Sequence, residues 1–121
     1  MFLATVSKPQ RLLYLSFVQH VSVKELERGR ADFVALLADL PSGFRLLTDL
    51  SQVESIDVEC AREIGRVMEL CEQKGVGLVV RVIPDPEKDI GMNLLSLFHY
   101  HRHPRIVTCK NMVEAAERLG L

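Results

Sequence analysis

The hydrophobic period changes repeatedly along the chain, and each change marks an element. Phe44, Leu46, Leu47 and Leu50 make residues 44–50 read as a buried strand. The polar, acidic residues 51–57 read as a loop. Beyond them apolar side chains recur at 60, 61, 64, 67, 68 and 71, the 3.6-residue period of an amphipathic helix over about 58–74. Positions 59, 62, 63, 66, 69, 72 and 73 form its polar face, and Gly75 is its expected C-cap. Residues 76–83 are nearly unbroken and rich in valine, as in a strand buried on both faces of a parallel sheet.

The flanking segments complete an alternating pattern. Strands are expected at 2–7 and 11–18, joined as a hairpin by Lys8, Pro9 and Gln10. Both faces of the second are largely apolar, which suits a covered strand. Ser22 and Glu25 fit a capping box, and Leu26, Phe33, Leu36, Leu37 and Leu40 continue a helix to about Asp39. Pro41, Ser42 and Gly43 stop it. Asp85 and Pro86 open a third helix with Ile90, Leu94, Leu95, Leu97 and Phe98 inward, ending before His103 because Pro104 disfavours helix there. A short strand at 105–108 and a helix at 110–119, with Met112, Val113, Ala116 and Leu119 inward, finish the chain. The order is ββαβαβαβα: an α/β sandwich with a mostly parallel, mixed five-stranded sheet and four helices.

Composition narrows the function classes. The 121 residues fit one domain, 1–121, with 48% hydrophobic and 26% charged residues. Fifteen basic and sixteen acidic side chains leave a net charge of -1, so nothing points to nucleic acid. The three cysteines, Cys60, Cys71 and Cys109, form no C-x-x-C pair and read as reduced thiols of a cytoplasmic protein. The apolar start is too short for a signal peptide, and no run is long enough for an integral membrane segment.

Asp49-Leu50-Ser51-Gln52-Val53-Glu54-Ser55-Ile56-Asp57 resembles the D-L-S-G-V-x-x-I-D stretch of the STAS family, the sulfate-transporter and anti-sigma-factor-antagonist domains that include the bacterial sporulation antagonists. The resemblance extends to the order and lengths of elements over most of the chain. It implies a domain that binds a regulatory protein, an anti-sigma-type kinase or another regulator, and that has no active site and no cofactor. In antagonists of this type a serine or threonine follows the aspartate, and its phosphorylation releases the partner. A phosphate there would sit on the free N–H groups at a helix start and add nearly two negative charges. Here Val58 follows Asp57, with Glu59 and Cys60 after it. Three readings follow: docking without a switch, which is preferred; phosphate on Ser55 or Ser51; or a permanent charge from Glu59.

The expected docking surface is Asp49, Ser51, Glu54, Ser55, Asp57, Val58 and Glu59, with residues 20–22 beside it. Asp57 is expected to cap the second helix. Asp49, ending a buried strand, needs hydrogen-bond partners. His20 reads as a loop residue that carries little information. His99, His101 and His103 fall on different sides of a helix, and no metal site is expected from them. There is no G-x-S-x-G elbow or phosphate-binding glycine loop, so no enzyme is expected. A second class remains: a carrier of a small apolar ligand or lipid, with Ile90, Met92, Leu94, Leu95 and Phe98 flanking the pocket. A homodimer through apolar helix surface is compatible with either.

Overall fold

A computed structural model describes residues 1–85, Tyr100 and 104–121. The strands are β1 (Phe2–Ser7), β2 (Leu12–Val21), β3 (Arg45–Ile56), β4 (Leu78–Val82) and β5 (Arg105–Cys109). The helices among the described residues are α1 (Val23–Ala38), α2 (Cys60–Lys74) and α3 (Met112–Leu119). The helix expected from Asp85 and Pro86, with its apolar residues and the three histidines His99, His101 and His103, lies outside the described residues. The strands form one sheet in the order β1-β2-β3-β4-β5, with β1 antiparallel to β2 and every later pair parallel.

Strand alternation sends the two sets of side chains into two cores. Leu13, Leu15, Phe17, Leu46, Leu50 and Val79 pack with Leu26, Phe33 and Leu37 of α1 and Ile64, Met68 and Cys71 of α2. Leu12, Leu47, Val80, Val82 and Cys109 face the other way and pack against Ala115 and Leu119 of α3. The capping box at α1 is present, Ser22 and Glu25 each closing the other's free N–H. Along α3 the inward positions are Ala115 and Leu119, while Val113 is 70% exposed. Of the expected inward set, Leu119 is buried and Ala116 half-buried, while Met112 and Val113 lie outward and Ala115 is buried instead; Asn111 caps the helix by accepting from the Glu114 N–H and so fixes its rotation.

α2 ends at Gly75, whose φ of 96° lies in the left-handed region, and the N–H groups of Gly75 and Val76 both return to the Cys71 carbonyl. A Cβ at Gly75 would also meet the Ser42 hydroxyl. Gly75→Ala is expected to destabilise the protein by about 1–2 kcal/mol, read from chemical denaturation, with Ser42→Gly recovering only the steric part.

The larger departure from the pattern lies in β3, which continues through 51–56 where a loop was expected. Ser16 pairs with Asp49 but Val18 with Gln52, and Gln19 pairs with Val53 but His20 with Ser55. Each shift leaves one extra residue in β3, so the strand carries two bulges. The bulges space its buried side chains at Leu50 and Val53, with Ile56 packed beside them, three apart instead of two. A strict period-2 reading misses such a strand.

Candidate functional site

The far end of β3, the turn after it and the start of α2 form one surface. β4 pairs with β3 only as far as Asp49 and Val82, so among the described residues the segment 51–56 is paired to β2 alone. After Ile56 the chain turns: the Asp57 carbonyl accepts from the Cys60 N–H and the Val58 carbonyl from the Ala61 N–H. This tight entry starts α2 at Cys60, with Glu59 at the cap position and no side-chain capping bond. The expectation that Asp57 caps the helix is therefore corrected. Its carboxylate is drawn instead to His20, whose Nε2 lies 3.2 Å from Oδ1.

His20 is the residue that the pattern undervalued. It sits on β2 opposite Ser55, and its Nδ1 is 2.7 Å from the Ser55 hydroxyl. The backbone arranges this contact. Gln19 has a left-handed φ of 57°, unusual for a residue with a side chain, at the second register shift. The bulge re-aims His20 so that one imidazole reaches Ser55 near the end of the neighbouring strand and Asp57 in the turn after it. A signal existed in the sequence only as polar residues at both strand ends; the bulges that pair them left no pattern.

Asp49 is separate from this surface. It is 6% exposed, accepts from the Tyr14 hydroxyl at 3.1 Å and from the Ser51 N–H at 2.9 Å, and holds the strand where the first bulge begins. Burial, with the Asp49 charge adding to it, raises the Tyr14 phenol pKa, although Ser16 opposes the shift. The remaining expected residues Ser51, Glu54, Ser55, Val58 and Glu59 are exposed. Val58 stands out at 87% exposed, an isolated apolar side chain at the tip of the turn.

The field at the turn is negative. Cys60, fully buried beneath it, has its thiol pKa raised by desolvation first and then by Asp57, Glu59 and Glu25. Among the described residues no group of three or more histidine, cysteine or acidic side chains is placed to hold a metal ion. No helix among them is long and apolar enough to cross a membrane. A second feature lies between α1 and α2: a groove of about 340 Å³ floored by Phe2, Leu26, Phe33, Val67 and Leu70. Arg30 and Glu63 bridge its edge as an ion pair. Glu63, expected on the solvated face of α2, is buried there because that partner reaches it from α1.

A hairpin leading into a mostly parallel sheet, two helices on one face and the strand–turn–helix unit at the C-terminal end of its central strand make up a SpoIIAA-like fold. No family model matches the chain, and no curated protein does. Solved structures do. One is an uncharacterised protein of the DUF3478 family with a SpoIIAA-like fold from Shewanella loihica PV-4, with a TM-score of 0.72 at 12% identity over 98% of this chain and 92% of that one. The Bacillus cell-fate determinant SpoIIAA in its phosphorylated form gives 0.65 at 12% identity, covering 98% and 99%. An anti-sigma factor antagonist from Mycobacterium paratuberculosis gives 0.59 at 16% identity, covering 100% and 94%. At these identities the likeness is one of fold.

Proposed function

We propose that the chain is a non-catalytic protein-interaction domain that docks a regulatory protein through the turn 57–59 and the adjoining exposed end of β3. The observation that carries this reading is Val58, 87% exposed between two acidic residues at the tip of the turn. An apolar side chain held in water gains by burial against a partner. The acidic residues Glu54, Asp57 and Glu59 around it favour a partner face that is basic at its rim. Asp49 supports this surface from below and does not touch the partner. Solved neighbours that are anti-sigma factor antagonists support a partner of that regulatory class, an anti-sigma-type kinase or another regulator in the cytoplasm. With valine in the turn, docking proceeds without a phosphorylation switch at this position. Phosphate on Ser55 or Ser51 in mapped phosphopeptides would overturn that part.

The test is retention of a partner from lysate by the immobilised protein and by two variants. Val58→Arg, and Asp57→Lys combined with Glu59→Lys, are each expected to weaken retention of the same protein by about tenfold or more. The three substitutions lie on the surface, so circular dichroism should be unchanged. Equal retention by all forms rejects the docking surface.

The groove between α1 and α2 favours a second reading, a carrier of a small apolar ligand or lipid, since its floor is apolar and its volume suits such a molecule. Native mass spectrometry decides: carriage requires a reproducible added mass that is lost in Val67→Arg, and a bare chain mass rejects it.

A further inference from the structure

The contacts of His20 define the hydrogen-bond roles of its neutral ring. An ionised carboxylate only accepts hydrogen bonds, so Nε2, 3.2 Å from Asp57 Oδ1, carries the ring proton. In the neutral imidazole Nδ1 is then left with its lone pair, and the Ser55 hydroxyl, 2.7 Å away, donates to it. A hydroxyl bonded to an imidazole that is oriented by a carboxylate is the arrangement that activates a serine for attack on a carbonyl carbon. It is built from His20 on β2, Ser55 on β3 and Asp57 in the turn that follows, and is held by the Asp57 N–H, which donates to the Val21 carbonyl at 3.1 Å. The imidazole and the carboxylate are 54% and 39% exposed, so a donor reaches the cluster from solvent.

We propose that Ser55 is an activated acyl acceptor, modified by an activated ester or thioester, with His20 as the base and Asp57 as its positioning residue. The Ser55 oxygen forms a new C–O bond to the acyl carbon, and the donor's bond to its alcohol or thiol breaks. The hydroxyl proton passes to Nδ1 of His20 and from there to the departing alkoxide or thiolate. No oxidation state changes. The product is an ester at the edge of the docking turn, which replaces a small polar side chain with a larger apolar one beside Val58.

p-Nitrophenyl acetate is the probe, with nitrophenolate release followed by absorbance and the acetylated residue located by peptide mass spectrometry. The wild-type protein is expected to gain one acetyl group on Ser55. His20→Phe should slow that acetylation by about a hundredfold or more, the usual contribution of a positioned base. Asp57→Asn should slow it less, and Ser55→Ala should abolish it. All three side chains are at the surface, and unchanged thermal midpoints confirm that the variants are folded. Acetylation confined to lysines, or Ser55 acetylated equally fast without His20, overturns the proposal. Either result leaves docking through Val58 intact, since that is read by partner retention.

Discussion

Phe44→Ala is expected to destabilise the fold by about 3–5 kcal/mol, among the largest effects of any single truncation in this chain. Phe44 is fully buried immediately before β3 and belongs to the core beneath α1 and α2. Its carbonyl accepts from the Gly77 N–H at 2.8 Å, so the residue also ties the start of β3 to the approach of β4. Truncation removes the transfer energy of the ring and leaves a cavity that the surrounding strands relax into only partly. Against a typical total of roughly 5–15 kcal/mol, that is enough to bring the protein close to unfolding at physiological temperature. Urea denaturation should show a lower midpoint with an unchanged slope. Phe44→Leu, which keeps most of the volume, should lose no more than about 1.5 kcal/mol. A loss below 1 kcal/mol for the alanine variant would show that Phe44 is not part of a close-packed core.

Much of this architecture was legible in the sequence because it rests on periodic burial. The helical stripe of α2, the capping box at Ser22 and the valine run around β4 each have one dominant physical cause, and each appears where its pattern placed it. The reading failed where two causes compete. Along 51–56 the composition is that of a loop, yet pairing with the end of β2 keeps the backbone extended, and two bulges turn a period of two into three. In α3, Met112 and Val113 are apolar but lie outward, because the cap at Asn111 sets the phase of the helix. Glu63 was placed on the solvated face because its pairing with Arg30 joins elements 33 residues apart in sequence.

The candidate site was legible in outline only. The stretch 49–57 and Val58 were identified from their text, and Val58 does stand at the tip of an exposed turn. The pattern did not separate Asp49, which supports the strand from inside, from Asp57, which faces solvent. It also missed His20, since the contact with Ser55 and Asp57 depends on the left-handed Gln19 and on a register shift that no local propensity encodes. The exposed residues of the turn were therefore found from composition, and the histidine beside them from strand pairing. The tight turn and the ladder behind it hold Val58 out in water at a fixed place, which would lower the ordering entropy lost on the proposed docking.

Raising the pH above the thiol range is expected to remove about 4 kcal/mol of stability through Cys71 alone. The side chain is fully buried under α2, and desolvation raises its pKa to about 12. In the unfolded chain the thiol ionises at its ordinary value of 9.0. Between these values the folded state keeps a proton that the unfolded state has lost, so stability falls as pH rises. The contribution is full below the unfolded pKa, declines steadily above it and is gone once the pH has passed through about 12. About three pH units at roughly 1.4 kcal/mol each give the total. Tyr100 and Cys109, whose pKa values burial also raises, act in the same direction, so the measurement must isolate one residue. The difference in unfolding free energy between wild type and Cys71→Ala, followed from pH 8 to pH 11 by urea titration, does so, because the other groups cancel. That difference should shrink steadily across the range. The same burial makes the thiol inert, since only the thiolate attacks and the sulfur has no access to solvent. Cys71 should resist alkylation by iodoacetamide in the folded protein and react promptly in urea. A flat difference curve, together with rapid alkylation of the native protein, would show that α2 opens readily above the sheet, and the turn that presents Val58 would then not be held in place.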